Sequence, residues 1–205
     1  MSTSTWPRLL VVDVEGSGQQ PPDLVELAVV PVEGGRVRPE QARSTLIRPP
    51  QPITRFATGV HGLTNQDVEA APAWEMIASQ VLADLQGAWI VAHHASTEYT
   101  VLTRHLPTWQ PAGVLDTLRL ARHLAPDAPG HGLDKIIPYL GIDLSAVPGQ
   151  RHRAAFDAHA TALLLLALAE HLTFDELRAA AVPPNMPGAL SALDPEPDHE
   201  EQTLW

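Results

Sequence analysis

The sequence predicts an α/β domain in which a mixed β-sheet is flanked by helices. Three features carry that expectation. Short apolar runs of strand length crowd the N-terminal part, a glycine-rich hairpin signal joins two of them, and from residue 64 stretches of helical spacing alternate with further short apolar runs. A hairpin meander followed by helix–strand alternation makes a sheet with both antiparallel and parallel pairs.

Residues 8–14 (RLLVVDV) form an apolar run ending in acids, the pattern of a buried strand. Residues 24–32 and 36–47 make two more, joined at Glu33-Gly34-Gly35, where glycines accept the positive φ of a tight turn. Residues 64–86 carry helical spacing, with Trp74, Ile77, Val81, Leu82 and Leu85 along one face. Residues 89–92 (WIVA) predict a fourth strand and 113–115 a fifth, so the sheet is expected to be five-stranded. Helices are expected over 97–105, 117–124, 133–140, 154–171 and 174–181. No internal repeat is visible.

From residue 182 the composition changes. Residues 182–205 hold five prolines, the acids Asp194, Glu196, Asp198, Glu200 and Glu201, and no Lys or Arg. Such a segment buries too little apolar surface to fold, so residues 1–181 are expected to be the domain and 182–205 a flexible acidic tail.

At 205 residues and 44% hydrophobic content, the chain can bury a full core in one domain. The first ten residues lack the charged start and apolar run of a signal peptide. The apolar run at 162–169 is too short to span a bilayer. A cytoplasmic protein is expected. With no cysteine, any metal must be held by oxygen or imidazole. The net charge of −11 argues against a broad nucleic-acid-coating surface, though not against a small cleft holding a few nucleotides.

Three constellations carry chemistry. In Asp13-Val14-Glu15 the carboxylates are two apart on a strand, so both point the same way. They repel unless a cation lies between them, and hard Mg²⁺ or Mn²⁺ suits oxygen donors. The plainer alternative is a solvated strand end. In VAHHASTE, ending at Glu98, a strand runs into a helix with an acid in its first turn; taken alone, favourable helix-dipole chemistry is the plainer explanation. In HRAAFDAHAT, His152 precedes a helix and Asp157 lies in its first turns. Imidazole beside carboxylate-bound ions is suited to take a proton from water near neutrality, while an ordinary surface histidine is the alternative.

In combination and in this order, the three resemble the DnaQ-like (RNase T-like) exonucleases of the DEDDh group. ATGVHGLT at 57–64, LDTL at 115–118 and HGLD at 131–134 are similar to further segments of that family. The resemblance runs from about Leu9 to His171. It implies an RNase H-like fold and a metal-dependent 3′-to-5′ exonuclease that acts on DNA or RNA 3′ ends and releases nucleoside 5′-monophosphates. It also implies two divalent cations, Mg²⁺ or Mn²⁺. Asp13, Glu15 and Asp157 would hold the ion on the water side, Asp13 would bridge to the second ion with Glu98, and His152 would be the general base.

The chain departs from the family pattern at several points. Glu98 stands where Asp is usual, and the added methylene shifts the carboxylate, so a preference for Mn²⁺ is expected. His94 replaces the usual Asn, Thr97 an aromatic, and Gly16-Ser17-Gly18 the usual Thr-Thr-Gly. Gly16, Ser17, His61, His94, Arg151 and Arg153 are the candidate substrate-binding residues. Arg151 and Arg153 either draw in the scissile phosphate or are solvated loop arginines. His61 is expected to pack a loop or touch backbone, and Asp116 to serve as a hydrogen-bonding structural residue. The alternative functions are a catalytically weakened nucleic-acid-binding or accessory subunit, and a hydrolase of very short oligonucleotides. The C-terminal Glu201-Gln202-Thr203-Leu204-Trp205 resembles, over a few residues, peptides that dock on the bacterial sliding clamp.

Overall fold

The computed structural model describes residues 6–190. Strand β1 (Leu9–Gly16) lies at the centre of the sheet, antiparallel to β2 (Leu24–Glu33) on one side and parallel to β5 (Trp89–Ala92) on the other. Beyond β5 lies β6 (Gly113–Asp116), also parallel. Beyond β2 lie β3 (Arg36–Val37) and β4 (Arg43–Leu46), both antiparallel to it.

The sheet therefore has six strands rather than the expected five. The run at 36–47 is broken by a 3₁₀ turn at Pro39–Gln41. Proline has no N–H to give the ladder and fixes φ, so the strand cannot continue through it. Its two halves still share the outer edge of β2, with Val37 opposite Val32 and Arg43 opposite Val29.

Eight helices are described: α1 (Arg55–His61), α2 (Asn65–Val68), α3 (Trp74–Leu85), α4 (Ser96–His105), α5 (Thr117–Leu124), α6 (Leu133–Tyr139), α7 (Ala154–Leu168) and α8 (Phe174–Ala181). The single helix expected over 64–86 is two. Pro72 disfavours helical backbone at the residue before it, and the Pro72 carbonyl instead accepts from the Arg48 N–H at 2.9 Å. Helix α1 was not anticipated; its seven residues include Gly59 and are too few to display a helical period. It is fixed by its ends. The Thr54 hydroxyl accepts from the Ala57 N–H, and Gly62 takes a left-handed φ of 78°.

Period-two alternation along β1 splits the core. Leu9 and Val11 pack on one face with Ala154, Ala158 and Leu165 of α7, Leu120 of α5 and Leu177 of α8. Leu10 and Val12 pack on the other with Val81 and Leu85 of α3 and Leu102 of α4. Alanines at 154, 158 and 162, all fully buried, line the side of α7 that meets the sheet and let the helix axis approach closely. Asp13 and Glu15 continue the Leu9–Val11 face, so they emerge on the α7 side.

Residues 182–190, expected to lie beyond the domain, pack against it. Val182 is buried, the Val114 N–H donates to the Pro187 carbonyl at 3.0 Å, and Gly188 sits against the Trp89 ring, where a Cβ would come within 2.6 Å. They cover the free edge of β6, which otherwise presents unpaired backbone. The rest of the expected tail, with its five acids and its Leu204-Trp205 end, lies outside the described residues. Among the described residues, no helix is long and apolar enough to cross a membrane.

Candidate active site

At the carboxyl end of β1, Asp13 and Glu15 project toward the first turn of α7, which carries Asp157. One carboxylate oxygen from each of the three lies within 4.8 Å of the others. Glu98, in the first turn of α4, is outside that group, and its charge acts on Asp13. It is only 7% exposed, and its Oε2 is buried with no hydrogen-bond partner.

This concentration of acid is unfavourable without cations. Burial, followed by the charges of Glu98, Glu15 and Asp157, raises the Asp13 carboxyl well above its ordinary range, with Arg151 opposing. Glu15 is pushed up to about 8, first by burial and then by Asp157 and Glu26. Glu98 is also pushed up to about 8, again mainly by burial. Oxygen-only donors around an electrostatic deficit suit a hard divalent cation.

The elements that present Glu98 are tied together by Asp116. Its carboxylate accepts from the N–H groups of Leu118 and Arg119, capping α5, and from those of His94 and Ala95 in the turn entering α4. Asp116 is thus a structural residue, as the sequence suggests. His94 takes a left-handed φ of 77° in that turn, a conformation Asn and His accept better than most residues, and its side chain is exposed.

On the far side, the loop after β1 is braced internally. The buried Ser17 hydroxyl accepts from the Asp23 N–H at 3.0 Å, and the Ser17 carbonyl accepts from Thr54 at 2.9 Å. His61 Nδ1 accepts from the Leu63 N–H at 3.0 Å, so Nε2 carries the proton and donates to the Gly16 carbonyl at 3.3 Å. Ser17 and His61 spend these groups on the protein, and Gly16 is held between them. They shape the loop. Gly18, at φ 75°, is pressed against Thr54 and Ala57, where no Cβ would fit.

The 151–154 loop is held by two carboxylates in parallel. Arg151 pairs with Asp157 Oδ1, and the His152 N–H donates to Asp157 Oδ2 at 3.1 Å. Arg153 makes a two-pronged contact with Glu26 at 3.0 and 2.9 Å, and the Ala154 N–H donates to the same carboxylate at 3.1 Å. Neither arginine is a solvated loop residue, and the Arg153 fork is already committed. Between them His152, at φ 61°, has an exposed side chain that joins neither pairing. Glu26 is the residue that sequence reasoning missed. A single acid within the apolar strand LVELAVV was the available signal, because a charge in a buried strand must have a partner.

The exonuclease family RNase_T matches residues 10–165. The chain belongs to that family. Its domain is 32% identical over 172 residues to the 3′-5′ exonuclease DinG of Bacillus subtilis, covering 80% of this chain and 18% of that protein. It is 33% identical over 166 residues to a DNA polymerase III subunit epsilon-like protein of Rhodobacter capsulatus, covering 78% and 23%. The chain thus spans less than a quarter of either relative. Among solved structures, exonuclease X in complex with 5′-overhanging duplex DNA superposes with a TM-score of 0.69 at 29% identity, covering 82% of this chain and 96% of that one. Exonuclease I, at 16% identity and a TM-score of 0.68, shares the fold. The expected RNase H-like architecture and DnaQ-like membership therefore hold. The domain is an exonuclease domain of the RNase_T family.

Proposed function

We propose that this domain is a divalent-cation-dependent 3′-to-5′ exonuclease acting on DNA 3′ ends and releasing nucleoside 5′-monophosphates. The observation that carries the reading is the convergence of Asp13, Glu15 and Asp157 within 4.8 Å, inside a chain of the RNase_T exonuclease family. The orphaned, buried Oε2 of Glu98, whose charge acts on Asp13, supports a second ion position. Asp13, Glu15 and Asp157 would hold one ion, and Asp13 with Glu98 the other. Bound there, divalent cations supply Lewis-acid polarisation of water and phosphate oxygens, and positive charge where negative charge develops.

The protein's own groups do the rest. His152, exposed at the mouth of the acid cluster's loop, accepts a proton from the attacking water. The water oxygen bonds to phosphorus as the P–O3′ bond breaks. The O3′ oxygen takes a proton from solvent, so the shortened strand keeps a 3′-hydroxyl, and the nucleoside 5′-monophosphate leaves. Arg151, paired with Asp157, would be the guanidinium within the site for the scissile phosphate.

DNA is favoured over RNA as substrate because exonuclease X, matched over 96% of its length, is seen with duplex DNA. The test is digestion of 5′-labelled single-stranded, 5′-overhanging duplex and RNA strands with Mg²⁺ or Mn²⁺. Stepwise shortening from the 3′ end, fastest on DNA, is expected. Internal cutting, or erosion from the 5′ end, overturns the proposal.

A further inference from the structure

We infer that Glu26 and Arg153 form a positioning device for His152, an anchor that fixes the general base without itself holding an ion. The inference rests on the proposed exonuclease reading. Glu26 lies directly across from Glu15 in the β1–β2 register, and it is 3% exposed. Its carboxylate takes three donors, two from the Arg153 guanidinium and one from the Ala154 N–H, all between 2.9 and 3.1 Å.

Helix α7 begins with no cap from its own N-terminal side chain, so Glu26 caps it from across the sheet. The pair thereby locks residues 153 and 154 to β2, immediately after His152. The other half of the loop, Arg151 and the His152 N–H, is bonded to Asp157. Asp157 is also a proposed ion ligand, so those bonds must be shared with a cation. The Glu26 bonds need not be. When ions bind, the anchor that keeps the left-handed His152 backbone in place is Glu26–Arg153.

Stability alone is a poor reason for such a pair. A buried ion pair gains little over well-packed apolar side chains of similar volume, because both charges must be desolvated. What it supplies is direction, since a bidentate contact fixes both distance and plane. A displacement of about 1 Å at a general base costs up to about 100-fold in rate.

Arg153→Ala and Glu26→Gln test the inference, with oligonucleotide kinetics, calorimetric Mn²⁺ titration and low-millimolar guanidinium rescue. The expected result is a kcat lower by about 10- to 100-fold with KM within about twofold of wild type, and a Mn²⁺ affinity within about twofold in the double variant, where the opposing charges that act on Glu15 are removed together. Guanidinium should restore part of the rate to Arg153→Ala but none to His152→Ala, and the double variant Glu26→Gln/Arg153→Ala should be no slower than the slower single one. An active wild type whose variants keep its kcat, or lose rate and Mn²⁺ affinity together with no rescue, overturns the positioning role alone. A wild type inactive on every strand overturns the exonuclease reading and this inference with it.

Discussion

In the proposed reaction Glu98 is the ligand that departs from the family pattern. It keeps the charge of the usual aspartate but carries a longer arm, and it sits buried with one oxygen unpartnered. Mg²⁺ demands near-ideal octahedral geometry, and Mn²⁺ tolerates deviation better, so the extra methylene should be felt most with Mg²⁺. Glu98→Asp is expected to raise the ratio of Mg²⁺- to Mn²⁺-supported rate several-fold, read from initial rates on one oligonucleotide. An unchanged ratio would mean that residue 98 does not set metal choice. Glu98→Ala should lose on the order of 100-fold in kcat, because it would weaken the hold on the cation that supplies positive charge where negative charge develops. Full activity in that variant would remove Glu98 from the site.

At the scale of elements, the site depends on how strand ends are stitched to helix starts. Asp116 accepts four N–H groups from two turns, so Asp116→Ala should cost about 1–2 kcal/mol by the loss of helix capping alone. Urea unfolding reads this directly, and a midpoint equal to wild type would contradict it. The elements that sequence reading located cleanly were those with a full period or a sharp apolar boundary. Residues 89–92, 117–124 and 174–181 fall where expected. The misses have local causes. Prolines 39 and 72 divide runs whose apolar pattern is continuous, and α1 is too short to show a period. At the site, the convergence of Asp13, Glu15 and Asp157 was legible because it is written in residue type and spacing. The partners of Arg151 and Arg153 were not. Those pairs join residues 6 and 127 positions apart, and the second exists only once α7 has packed against β2.

Across the whole molecule, the acid cluster makes stability depend on pH and on cations. Glu15 and Glu98 rise from an ordinary 4.5 to about 8 in the folded state. A raised folded value means that the folded protein holds more protons than the unfolded chain, so the stabilisation is complete below 4.5 and is lost as pH climbs through about 8. His61 and His93, both lowered by burial from 6.5, act in the opposite direction at acid pH, so the carboxyls are isolated above that value. In chelator, Tm should fall between pH 6.5 and about 8, and Mn²⁺ should raise it more at the upper end because ions and protons compete for the same oxygens. A Tm that stays flat with pH, or a Mn²⁺ effect that shrinks as pH rises, would contradict that linkage. The most direct test of the central claim is release of nucleoside 5′-monophosphates from a 3′-labelled DNA strand, comparing wild type with Asp13→Asn, each with Mn²⁺ and with chelator. Wild type with Mn²⁺ should release them steadily, with a near-complete loss in the other three conditions. Release that survives Asp13→Asn or chelation would place the chemistry elsewhere.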